Sequence, residues 1–488
     1  MNSQKKKLSK ITKQWIALAV ATLALIAVAA LPISEDLLTI NEVPLPPEGR
    51  LPLGILLFCL ILWMTEAIPF HITGLLGIVL IAVTKIDTFD NAVRVGFGNN
   101  VVCFFIGVLV LSASITTCGL GTRISVWLLS KTGNKTKTIL LGFLIAGTLM
   151  AMWITGIAVA AMLMPLAKSI LEDEGLVPHK SNFGRALMIS CVWGPLIGGI
   201  GTPAGAGANT LGIGFAKEMA NIEISFLQWM TYGVPCALLL IIPSWYVLRI
   251  VFPLEIVELK KSKEELQLAA KELPALSKDE KSIIVIFLLT VILWLTSSPL
   301  EKLLGIAIPV ALPVTLTSLF IFFPGVTSIK WKDIEPQVSW SGIMLILTGV
   351  ALGDVIYKSG AAEWMAMLLL GGMASLQPIP QIFLVVFCIS ILKIAFSSNT
   401  VTATIIVPLL IAMAQAYELP ILPILIPACL SLSLAMILVT SAPTNIVPYS
   451  AGYFSIQDFA KAGVIMTLVY SAIFSITIYG IGQFTGLY

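Results

Sequence analysis

Between Glu363 and Glu418 the chain carries a single charged residue, Lys393, and just beyond it the run Ser397-Ser398-Asn399-Thr400 interrupts an otherwise apolar stretch. Three hydroxyls and a primary amide at hydrocarbon depth are costly unless each finds a partner. Residues 380–417 are too long for one crossing and polar in the middle. They are expected to form a hairpin that enters and leaves on one side, with its tip at mid-membrane. Irregular backbone survives there only where it lines a cavity or is buried in protein. The solvent is set by composition: 58% of residues are hydrophobic and 11% charged, against roughly 25% charged in a soluble domain. An all-α polytopic membrane protein is the implied class.

Crossings are expected near 15–32, 51–68, 71–84, 101–130, 226–252, 282–298, 303–325, 339–371 and 463–485. Residues 138–171 repeat the pattern of a long, centrally polar stretch. Residues 186–216 and 419–455 are broken by Gly, Pro, Thr and Asn and count as interrupted crossings. With a cytoplasmic N-terminus and both long stretches treated as re-entrant, only Arg50, Lys85, Arg94, Lys217 and Lys302 face outward, as the positive-inside rule requires. That gives about 11 transmembrane helices plus two re-entrant hairpins, with the C-terminus outside. The basic, apolar N-terminus looks like a secretory signal, but its run from Trp15 to Pro32 is long enough to span and is read as a retained helix. The seven cysteines lie in apolar segments without CxxC spacing and are read as packing residues.

The chain repeats itself. "MWITGIAVAAMLMPLA" (152–167) aligns with "AFSSNTVTATIIVPLL" (395–410), bringing Pro165 onto Pro408. A matching helix precedes each segment, and a broken crossing follows each: "GTPAGAGAN" (201–209) and "TSAPTN" (440–445). An odd number of crossings separates the units, so they are inverted. Inverted repeats with discontinuous helices mark secondary transporters, whose site lies near the midplane. The expected segmentation is an N-terminal helix (1–37), first-repeat scaffold helices (38–137) and a first transport segment (138–252). A charged cytoplasmic connector (253–281), second-repeat scaffold helices (282–372) and a second transport segment (373–488) follow.

At a hairpin tip, the free N–H groups opening the second arm suit a carboxylate. Ser398, Asn399 and Thr400 add hydroxyl and amide donors, while their oxygens suit a hard cation such as sodium. The paired hairpins, the "SSNT" tip followed by "ATIIVPLL", and the later helix breaks resemble the divalent anion/sodium symporter family over nearly the whole chain. The resemblance implies dicarboxylate substrates, a homodimer, and an elevator motion of a transport domain against a scaffold. It also implies that each tip contacts a substrate carboxylate and, with its neighbouring break, forms a sodium site. Carried onto this sequence, the substrate-binding positions are Ser398, Asn399, Thr400, Thr155, Gly156, Thr202, Gly205, Ala206, Asn209, Ala442, Pro443, Thr444 and Asn445.

The sequence departs from that pattern at the first tip, which reads Thr155-Gly156-Ile157 and lacks the amide and the second hydroxyl. No resident cofactor is expected. A residual sodium site at Ser398 and Asn399 is the one metal alternative. Lys393 suggests a different arrangement, in which a tethered ammonium stands in for sodium and offsets the dianion's charge. A carrier that crosses only when loaded is an exchanger. The expected activity is therefore sodium-independent exchange of C4 or C5 dicarboxylates (2-oxoglutarate, malate, succinate, fumarate) in a bacterial plasma membrane, with sodium-coupled symport as the alternative. Citrate, sulfate and amino-dicarboxylates remain open as substrates. An enzyme is disfavoured: "ALGD" at 351–354 lacks its partners, and HExxH and GxSxG are absent. A channel would want rings of polar residues along a pore, and nothing suggests a nucleic-acid partner.

Overall fold

The computed structural model describes residues 2–30, 39–40, 43–259, 268, 272–370, 372 and 376–488. The architecture is all-α, save for a two-stranded antiparallel pairing of Thr39–Ile40 with Val43–Pro44. Among the described residues, eight helices are long and apolar enough to cross a membrane. Most of the charged connector lies outside the described residues. Its end is fixed by Ser277, which caps Lys278–Leu295 in a reciprocal box with Glu280. Glu280 in turn takes the Arg123 guanidinium at 2.6 Å.

Both hairpins form as the sequence anticipates. The first runs Thr136–Ala151, turns through Met152–Thr155, and returns as Gly156–Asp173. The second runs Pro378–Leu392, makes a 3-10 turn at Lys393–Ala395, and returns as Asn399–Ala416, with the Ser398 hydroxyl accepting from the Val401 N–H. Pro165 and Pro408 fall at matching places in the return arms. Two expected single crossings are each two shorter helices, and a third is curtailed. Residues 101–130 divide into Asn100–Thr117 and Leu120–Leu129 at Gly119, which has φ 83°. Residues 339–371 divide at Gly360, φ 72°, and residues 303–325 are reduced to Ala311–Phe320 behind a short helix, Ser297–Leu304. A left-handed glycine ends a helix without a Cβ penalty, and the hydropathy profile does not register it. An unanticipated helix, Phe89–Phe97, is capped by Thr88.

The broken helices are built alike. The first is Asn182–Gly199 followed by Gly207–Ala220; the second is Ile421–Ser431 followed by Pro443–Tyr449. Ala206 (φ −152°, ψ 145°) and Ala442 (φ −153°, ψ 144°) hold the same extended conformation where each helix resumes. The repeat seen in the sequence is thus reproduced in backbone angles.

The first hairpin lies tightly on the first broken helix because the contact is made of small residues, the usual device where lipid offers no hydrophobic drive. A Cβ placed on Gly198 would sit 2.2 Å from the Thr148 carbonyl oxygen, and one on Gly194 3.1 Å from the Gly147 Cα. The obstacle is backbone, so the helices themselves must part. Gly198→Ala is expected to lower the stability of the purified protein by about 1–3 kcal/mol, seen as a reduced melting temperature in detergent.

Candidate functional site

The two breaks are pinned by equivalent asparagines. Asn209 Nδ2 donates to the Gly199 and Thr202 carbonyls at 2.7 and 2.9 Å. Asn445 Nδ2 donates to the Ala435 and Leu438 carbonyls at 2.8 and 3.0 Å. Both side chains are fully buried, and each replaces helix N–H donors that the interruption removed. Thr202 does related work by donating its hydroxyl to the Met152 carbonyl in the first tip's turn. Of the residues expected to bind substrate, Thr202, Asn209 and Asn445 therefore spend their donors on the protein itself.

Each tip faces the other repeat's break. An added Cβ at Gly156 would lie 3.3 Å from Thr444 Oγ1, and one at Gly207 3.3 Å from Thr400 Oγ1. Thr155, Gly156, Ser398, Asn399 and Thr400 are half-buried, as is Ala206. Pro443 is exposed, while Gly205, Ala442 and Thr444 are buried. The structure thus brings the predicted residues into two crossed clusters, one of tip one with Thr444 and one of tip two with Gly207.

The clusters differ in chemistry. At tip two, the Lys393 side chain is 1% exposed. Its Nζ donates to Asn399 Oδ1 at 2.7 Å and to the Leu432 carbonyl at 2.5 Å. Those oxygens belong to the tip and to the adjoining break, and the one amine takes both of them. Lys393 holds the Asn399 amide with its oxygen inward, and Nδ2 faces the Ser433 carbonyl at 3.5 Å. Ser433 Oγ then donates to Asn209 Oδ1 at 3.2 Å, joining the two breaks.

Tip one has none of this. The place of Lys393 is taken by Met150, whose sulfur accepts from Ser125 Oγ at 3.1 Å, and the Thr155 N–H is taken by Ser112 Oγ at 3.1 Å. Asn445 Oδ1 has no hydrogen-bond partner among the described residues. Its counterpart accepts from Ser433, and the repeat offset from Asn209 to Asn445 puts Ile197 at the matching position, which has no donor. Sequence reasoning missed Ser112, Ser433, Leu432 and Glu66, which accepts from Ser397 Oγ at 2.7 Å. The repeat register pairs Ser433 with Ile197 and so gives no signal for it, and the backbone oxygen of Leu432 leaves none either.

The more remote charges are local. Asp354 pairs with Lys358 at 2.7 Å, and all seven cysteines are free.

An all-helical chain with inverted, interrupted helices meeting at two polar tips has the build of a polytopic membrane transporter. Solved structures agree on the fold. The Alcanivorax borkumensis YdaH transporter aligns at TM-score 0.55 and 13% identity, covering 82% of this chain and 88% of that one. Neisseria gonorrhoeae MtrF, described among antimetabolite efflux pumps, aligns at TM-score 0.55 and 14% identity over 90% and 96%. The profile of the sodium:sulfate symporter transmembrane region matches residues 12–485, and the chain belongs to that family. Curated relatives include the sodium-dependent dicarboxylate transporter SdcS of Staphylococcus saprophyticus, 27% identical over 89% of this chain and 86% of the relative. SdcS of Staphylococcus aureus (strain bovine RF122 / ET3-1) is 28% identical over 91% and 88%.

Replacing Asn209 or Asn445 with alanine leaves two buried carbonyls without donors. Each change is expected to cost about 2–4 kcal/mol, measured as a loss of thermal stability. Asn209→Ala should be the worse, because it also strands the Ser433 hydroxyl.

Proposed function

We propose that this protein exchanges C4 or C5 dicarboxylates across a bacterial plasma membrane without sodium. Dicarboxylate as the substrate class is supported by the names of the SdcS relatives and by the donors at tip two. Exchange rests on one observation, the Lys393 ammonium held on Asn399 Oδ1 and the Leu432 carbonyl. Both partners are neutral, and Lys393 makes no ion pair among the described residues.

Ser398, Asn399 and Thr400 grip one substrate carboxylate, with the Asn399 amide held in one orientation by Lys393. Thr155, Gly156 and Thr444 border the other end, and the pinned breaks at 202–209 and 442–445 shape the floor. A bound dianion gives the ammonium an ion-pair partner, its second charge being left to the hydroxyl, amide and backbone donors of the site. Without it, moving a buried unpaired charge past the scaffold costs several kcal/mol, so the carrier returns only when loaded. The moving part comprises residues 138–252 and 373–488. It works against a scaffold of 38–137 and 282–372 in an elevator-type homodimer with a cytoplasmic N-terminus.

Sodium-coupled symport is the second reading, favoured by the words "sodium-dependent" in the relatives' names. Uptake of radiolabelled succinate and 2-oxoglutarate into proteoliposomes separates the two. Exchange predicts uptake that requires internal dicarboxylate and is unchanged when choline replaces sodium. Symport predicts uptake into empty vesicles driven by a sodium gradient. Lys393→Met is expected either to abolish substrate binding or to let uptake proceed without internal dicarboxylate. Intact, strictly coupled exchange in that variant overturns the assignment.

A further inference from the structure

We infer that Glu66 is a resident anion of the second hairpin tip, a carboxylate whose charge opposes binding of the substrate's carboxylate at the same tip. The inference rests on the reading of Ser398–Thr400 as the dicarboxylate site. Glu66 closes the helix Pro47–Thr65 in a left-handed conformation, φ 50°, before Phe70–Val83 begins. The bend is braced from inside: Trp63, 1% exposed, donates its indole N–H across it to the Phe70 carbonyl at 3.0 Å. Glu66 itself is exposed and reaches the tip, accepting from Ser397 Oγ at 2.7 Å. A rigid bend thus presents a carboxylate to a hairpin far away in sequence.

Ser397 is the immediate neighbour of Ser398, and one residue advances the chain by at most about 3.8 Å. A substrate carboxylate at the tip therefore lies within about 10 Å of Glu66 by chain reach. Like charges at that separation repel appreciably at a partly desolvated site. Glu66 thereby lowers the affinity for a dicarboxylate that arrives. Glu66 comes from the segment assigned to the scaffold and Ser397 from the segment assigned to the moving part. The contact therefore also favours the empty tip staying where it is.

The test is equilibrium binding of succinate to the full-length protein in lipid nanodiscs, in sodium-free buffer. Glu66→Gln keeps an oxygen for Ser397 and removes the charge; it is expected to bind succinate roughly tenfold more tightly. Ser397→Ala keeps the charge but releases its anchor. It is expected to tighten binding by less, and it serves as an independent check if Glu66→Gln fails to fold. Succinate affinity in Glu66→Gln equal to or weaker than that of the unaltered protein overturns the inference and leaves the contact a structural brace. Asn399→Ala separates the two levels, because undiminished succinate binding there, or no binding by the unaltered protein, contradicts the reading of the tip instead.

Discussion

The broken helices of this protein exist only because their stranded backbone groups are answered from within. Two interruptions deep in an apolar body would each leave carbonyls without donors, at a cost of about 1–3 kcal/mol apiece. One asparagine in each repeat removes most of that cost by reaching back to two carbonyls. Once the breaks are stable, extended backbone at Ala206 and Ala442 can lie beside the hairpin tips. The site is a consequence of that solution.

The two repeats share the scaffold of the site and differ in its chemistry. One tip carries hydroxyls, an amide and a buried ammonium; the other carries a single hydroxyl, a glycine and a methionine sulfur. The ammonium's position explains why the difference matters. It takes the tip oxygen and the break oxygen together, so the amide of Asn399 is fixed in one orientation. The same hydrogen-bond chain continues through Ser433 to Asn209, tying the orientation of the tip to the first break. The other half has Ile197 where that link would be and leaves Asn445 Oδ1 unanswered.

Much of this was legible in the sequence because a re-entrant hairpin has a visible signature. Polar residues in the middle of an overlong apolar stretch cannot be placed otherwise, and the register of Pro165 with Pro408 located both tips. The break positions followed from Gly205, Pro443 and the two asparagines. Other features left no such trace. Gly119 and Gly360 end helices through a backbone angle, which hydropathy does not report. The two asparagines suit a ligand as well as a backbone carbonyl, because an amide's chemistry does not reveal which of the two it faces. Glu66 carries no signal in the sequence, since its partner Ser397 lies far along the chain.

The most direct test of the central claim is a substrate-bound structure, determined by electron cryomicroscopy in nanodiscs with succinate and sodium both present. The density is expected to show Lys393 Nζ on Asn399 Oδ1 and the Leu432 carbonyl, a substrate carboxylate on Ser398–Thr400, and no ion between the tip and the break. A sodium ion bridging Asn399 and Leu432, with Lys393 turned away, would contradict the central claim.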